Sequence, residues 1–336
     1  MQIAPRNRRR SRSSALSGDR ETTWRLPSRS RRGEFRISRY DHMLNEDVNV
    51  SIMPYRNHNE RRETSIVQLS SPNDLVEEDI SLALSGNDYH RNNLEEAVSD
   101  FIRECASTIM HEGQAIYEIV HYTDENTPDA SFSKLEHVPN RNIKFLLGQP
   151  FQILPKLEDF EGKEPRFKRI TKEKLVLFRM PRPYRAGHKA IQLQLDGVGK
   201  DGVQNLHIKA MEEANRKTKN ALNHKINVMD GYKFSDLAVL SATNSIGWNA
   251  RDVPSKHLQE YFSLVRLLRF ERFKLRLRSS ILNTINDNLT NLISDQAYDG
   301  KIEFHGLPTE EDIQQAEKDL KEGNKSFKAI MSPFIG

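Results

Sequence analysis

Cysteine is almost missing from this chain: one residue, Cys105, in 336. An intrachain disulfide and a cysteine-rich metal centre are therefore excluded, and a reducing compartment fits. No run of about 18 apolar residues occurs, so no transmembrane helix is expected. The N-terminus is rich in Arg and Ser but has no apolar stretch, which speaks against a secretory leader. Catalytic signatures are also lacking. There is no Walker loop, no Gly-x-Ser-x-Gly, no His-Glu-x-x-His and no Cys/His cluster. The eleven histidines are scattered, and His111 and His121 fall on different predicted elements. The acids Glu77, Glu78 and Asp79, like Glu310, Glu311 and Asp312, sit at predicted helix starts, where the helix dipole favours negative charge. No catalytic residue, cofactor or metal ligand is assigned, and a non-enzymatic protein is expected.

Charge is present but unevenly spread. Residues 1–40 hold twelve Arg, no Lys and three acids, a net of +9; the whole chain is +4, so residues 41–336 carry −5. A mildly acidic body thus wears a basic arm, and the high pI of about 9.0 belongs mostly to that arm. Residues 1–34 combine low hydrophobicity, many Ser and clustered Arg, the composition of a disordered tail. Arg8, Arg9 and Arg10 are its densest cluster. Guanidinium forks suit phosphate and carboxylate, so the arm is expected to contact nucleic acid or a neighbouring subunit rather than act only as a solubility tail.

Apolar content is 36% and mean hydropathy −0.71, so the body is globular but polar. Short alternating runs over 35–70 (FRISRY, VNVSIM, TSIVQLS) read as strands, and 71–92 as a short acidic helix ending near Gly86. Asn93–Glu112 is the clearest amphipathic helix, with Cys105 on its apolar side and Gly113 at its end. QAIYEIVHY, FSKLEHVP, NIKFLL, PFQILP and KLVLFRMP follow as strands. The fold class read from this order is α+β: a helix with a mixed or antiparallel sheet, then long helices. The division is a 1–34 arm, a 35–182 sheet module, a 183–300 loop and helical region, and a 301–336 strand–turn–helix. Residues 182–204 read as turn-rich. They contain a literal Gly197-x-Gly199-x-x-Gly202, but no second parallel strand with its acid follows, so a dinucleotide site is discounted in favour of a loop or hairpin tip. A polar helix is expected over 205–224, and β-like or loop character over 225–253.

Ser255–Asp299 is the longest stretch without Gly or Pro. As one helix it would reach about 60 Å. Leu258, Phe262, Val265, Leu268 and Phe273 form an apolar side, while Arg266, Arg269, Arg272 and Arg276 share another face. That stripe reads either as a contact for nucleic acid or a neighbouring subunit, or as a surface paired with acids of nearby elements. Four asparagines (Asn283, Asn286, Asn288, Asn291) predict a bend or break in the second half.

The run from Leu94 to Ile143 resembles the portal (head–tail connector) proteins of tailed bacteriophages. A helix leads into Gly113-Gln114-Ala115-Ile116-Tyr117-Glu118-Ile119, and a hairpin leads into Leu135-Glu136-His137-Val138-Pro139. ITKEKLVLFRMP (170–181) and VMDGYKFSDLAVLSATN (228–244), ahead of the long helix, are similar to later segments of that family. The resemblance implies a non-enzymatic ring, usually of twelve subunits, at a capsid vertex. It implies passage of double-stranded DNA, contacts with major capsid protein, packaging ATPase (terminase) and head–tail adaptor, and residence in the virion after assembly in the host cytoplasm. It implies no cofactor and no membrane. The competing expectation is a basic nucleic-acid-binding or nucleic-acid-processing protein acting as a monomer or dimer.

Overall fold

A computed structural model of the chain describes residues 16–22, 39–54, 65–85, 93–124, 127–153, 167–200, 236–251, 259–295 and 297–334. They form an α+β fold. The sequence puts an apolar residue on nearly every turn of α3 (Leu94–Glu112), and α3 is its centre. Asn93 caps the helix by accepting from the Glu95 amide, and Gly113, at φ 78°, closes it with a bond to the Ile109 carbonyl. Ala97, Phe101, Ile102, Cys105 and Ile109 are buried, and α1 (Arg39–Ile52), α2 (Asp74–Leu84), the main sheet and the long helix all pack on this stripe. The Cys105 thiol is wholly buried, which pushes its pKa well up.

The chain leaves α3 directly into β3 (Gln114–Asp124), the spine of the main antiparallel sheet. β4 (Thr127–Val138) pairs along one edge. The other edge is shared end to end by β8 (Leu175–Arg179), against residues 114–118, and β1 (Leu16–Gly18), against 122–124. Strand alternation sends Tyr117 and Ile119 toward α3 and the main core. It sends Ile116 the other way, into a smaller cluster with Val138, Ile143, Ile170 and Leu175. β5 (Ile143–Leu146), β6 (Gln149–Ile153) and β7 (Phe167–Arg169) make a separate three-stranded sheet beside it. β2 (Val67–Leu69) pairs with β9 (Ile302–Phe304). β2 to β6, β8 and β9 fall where alternation and turn residues place them in the sequence, whereas β1 lies in the expected disordered tail and β7 at the end of an expected polar loop.

Three segments are helical where the sequence reading has no helix. Residues 39–52, expected as strands, are helix α1. The short alternation of Val48, Val50 and Ile52 suggests a strand, but Leu44, Val48 and Ile52 recur every four residues and are the buried ones, while Val50 is exposed. Residues 182–200, expected as turns, are helix α4 (Arg182–Lys200). Tyr184, His188, Ile191 and Leu195 form its buried stripe, so Gly197 and Gly199 lie in a helix rather than in a phosphate-cradling turn. Residues 236–242 are helical and end in a tight turn over 243–247. Gly202, the 205–224 segment and Arg8, Arg9 and Arg10 lie outside the described residues.

The long helix runs Glu260–Asp287. It passes through Asn283 and Asn286 without breaking and stops at Asn288. Asn286 instead ties the helix to β9. Its amide donates to the Ile302 carbonyl and its oxygen accepts from the Ile302 amide, at 3.0 and 2.9 Å. The N-terminal half of the helix packs Leu264 and Leu268 against Ala316, Leu320, Ile330 and Met331 from the C-terminal helices Glu310–Glu322 and Phe327–Met331. The apolar tail thus docks. Thr309 and Asp312 form the capping box of the first of these helices. Phe262, expected on the buried side, is exposed.

Candidate functional site

Two charged features stand out, and the first lies on β3. Glu118 and Glu136 are directly opposite on β3 and β4, on the face away from α3. Like charges facing across strands repel, and Glu118 is fully buried. The segment 19–22, continuing from β1 along the gap before β8, resolves both problems. The Glu118 carboxylate accepts from the Glu21 amide at 2.5 Å, from the Thr22 amide at 3.0 Å and from the Thr22 hydroxyl. Arg20 stands between the two acids, with Nη1 at 2.5 Å from Glu136 and Nε at 3.8 Å from Glu118. The Tyr122 hydroxyl also donates to Glu136. Glu21 accepts from the Thr171 amide at 2.7 Å and its hydroxyl at 2.8 Å. Asp19 takes the Lys174 ammonium at 2.6 Å and the His121 amide at 2.8 Å. Burial raises the Asp19 carboxyl, but these two partners outweigh it and hold its pKa below the usual value. Residues 16–22 of the basic arm are therefore ordered, which corrects the expectation of a disordered 1–34.

The second feature is the arginine face of the long helix, and it is not one surface. Arg266 is buried in a socket made by the 243–249 turn. Nε donates to Asn249 Oδ1 at 2.9 Å, Nη1 to Asn244 Oδ1 at 3.2 Å, and Nη2 to Thr243 Oγ1 at 3.0 Å and the Trp248 carbonyl at 2.6 Å. Every acceptor is neutral. Burial, with Arg269 nearby, lowers its pKa to about 10. The socket depends on Gly247. At φ 78°, a Cβ there would stand 2.2 Å from the Arg266 carbonyl oxygen and 2.6 Å from Arg269 Cβ. Trp248 ties the same turn to α1 by donating to Asp47 at 2.8 Å, and Arg251 bonds Asp47 and Glu46.

Arg272 and Arg276 turn instead toward the C-terminal helix. Arg272 meets Glu310 at 2.7 Å and grips Glu317 with both Nη atoms at 2.8 and 3.1 Å. The Glu317 bond leads these carboxylates in raising its pKa. Arg276 reaches Glu310 at 3.1 Å. Arg269 is exposed and donates to Asn244 at 3.1 Å. Arg278, not singled out in the sequence, is also buried. It donates to the carbonyls of Ile52 and Pro308, lies over the Phe304 ring, and is lowered by burial to about 10. The Glu118–Arg20–Glu136 clamp is likewise absent from the sequence reading. Its one local signal is an acid between Ile116 and Val120 on an otherwise apolar strand face.

Among the described residues, no group of three or more His, Cys, Asp or Glu side chains could hold a metal ion. No described helix is long and apolar enough to cross a membrane. No family model matches the chain. No curated protein matches it. Among solved structures, an HK97-family phage portal protein from Corynebacterium diphtheriae is similar to it, at 8% identity and TM-score 0.38, covering 81% of this chain and 95% of that one. At this TM-score the likeness is too slight to carry a function across.

Proposed function

We propose that the chain is a subunit of a portal-type ring at a capsid vertex, through which double-stranded DNA is packaged and ejected. The supporting observation is the unit from Asn93 to Asn142. The residues that resemble portal proteins fold as one continuous joint: helix α3, the Gly113 cap, strand β3, hairpin to β4, then Val138-Pro139 into a 3₁₀ turn. Tyr117 and Ile119 of that stretch lie in the main core and Val138 in the smaller one. Charge division agrees with the reading. A body of net −5 lets a polyanion slide, since each phosphate contact would strengthen binding, and the excess positive charge is confined to residues 1–40.

On this reading the protein is not an enzyme. It is a homo-oligomer, with twelve copies the expected number, and it is assembled in the host cytoplasm before residing in the virion. The ring contacts major capsid protein and docks terminase and a head–tail adaptor. Arg8, Arg9, Arg10 and the exposed Arg269 serve as its contacts with nucleic acid, capsid or neighbour. Negative-stain microscopy with light scattering on the purified protein tests this. Closed rings many chains in mass are expected, and a single-chain mass at every concentration and salt would sink the proposal. That outcome, joined to salt-dependent DNA binding lost on deleting residues 1–15, would favour the nucleic-acid-binding alternative.

A further inference from the structure

The seam on β3 is built like a peptide-recognition site. Four successive residues are each held by groups of the body: Asp19 by Lys174 and the His121 amide, Arg20 by Glu136, Glu21 by Thr171, and Thr22 by Glu118. The segment adds backbone pairing to an open edge, and side-chain pockets read its sequence, the mode by which extended peptides join a sheet. The site is incomplete without its occupant. Remove residues 19–22 and a buried carboxylate loses its donors while it still faces a second acid.

The occupant's link to the body is long. Sixteen residues, 23–38, join Thr22 to the start of α1 at Arg39. At full extension they span roughly 55 Å, well beyond the length of an eleven-residue strand. A connection of that length does not by itself confine the segment to the β3 of its own chain. Exchanging these polar contacts between identical chains changes no bond type.

We infer that in the assembled protein residues 16–22 occupy the β3 seam of a neighbouring copy, so that Glu118 and Glu136 of one chain are bridged by Arg20 of the next. This rests on the ring proposed above. Exchange would make every subunit complete its neighbour's sheet.

Register supplies the test, because Ser17 lies opposite Thr123. Two full-length variants, Ser17→Cys and Thr123→Cys, are mixed before assembly and treated with a short bis-maleimide. Cys105, fully buried, stays silent. A bond between the two variants is possible only across chains. Covalent two-chain species in ring-sized particles are expected, and the doubly substituted chain should give a ladder of higher multiples. Rings whose double variant links only within one chain, with no product from the mixture, would overturn the exchange and leave the ring standing. A protein that stays single-chain in mass would overturn both. Adding Glu136→Gln should lower the cross-link yield several-fold while ring mass persists, and an unchanged yield would count against Arg20 as the bridge.

Discussion

Arg266 and Arg272 stand six residues apart on one helix and live in opposite surroundings. Arg266 is sunk among neutral oxygens and loses basicity; Arg272 lies between two carboxylates and gains it. The first is a fixed structural bolt, whose guanidinium alone makes four bonds to the 243–249 turn. The second is a partly solvated ion pair, adjustable and screened by salt. A stripe that looks uniform on a helical wheel is therefore two devices, and only the depth of burial and the chemistry of the acceptors separate them.

The sharpest way to break this comparison is Gly247→Ala. A methyl group there meets the helix backbone and also needs a left-handed conformation, so a loss of about 3–5 kcal/mol in urea unfolding is expected. A silent Gly247→Ala would mean the turn does not press on the helix. Next, Arg266→Met leaves the Trp248 carbonyl and neighbouring acceptors buried without a donor. It should cost about 2–4 kcal/mol, unchanged by added salt. Glu118→Gln weakens the clamp that holds the arm. About 1.5–2 kcal/mol is expected, with faster amide exchange at Thr22 and along the outer edge of β3, and slow exchange there would contradict the clamp. Arg272→Met should cost at most about 1 kcal/mol, a difference that shrinks in high salt. A loss equal to that of Arg266→Met would erase the distinction.

The smallest effect concerns pH. His188, on α4, is buried against the end of α3, with its Nε2 2.8 Å from the Met110 carbonyl. Burial lowers its pKa despite that bond. The unfolded chain then binds the proton more readily than the folded one, so stability is full at neutral pH and falls as pH drops through about 6.5 toward the folded value. Thermal unfolding at neutral and mildly acid pH should show this slope, and His188→Gln should flatten it. An unchanged slope would assign the effect elsewhere.

Much of the fold was legible. α3, its caps and the strands β3 to β6 and β8 follow from period and punctuation, because each is set by neighbours in sequence. α1 and α4 were not. Val48-x-Val50-x-Ile52 alternates locally, and Pro183, Gly187, Gly197 and Gly199 read as breakers, yet α1 buries a helical stripe against α3 and α4 buries one beside α1. Tertiary burial overrode local preference there. The sites were less visible still. The arginine stripe could be seen, but its division depends on Asn249, Thr243 and Glu317, whose positions only the fold supplies. The clamp joins Thr22 to a residue 96 positions away, and no spacing rule reaches that far.

That separation has a consequence for synthesis. The segment 16–22 leaves the ribosome well ahead of the sheet it joins: Glu118, Glu136, Thr171 and Lys174 follow only after one to one and a half hundred more residues. At about 5–20 residues per second, the arm spends about 5–30 s with no site to enter. During that wait Glu118 also emerges and stays hydrated until the strand around it closes. A segment made before the sheet is placed after it, and its placement marks a finished sheet.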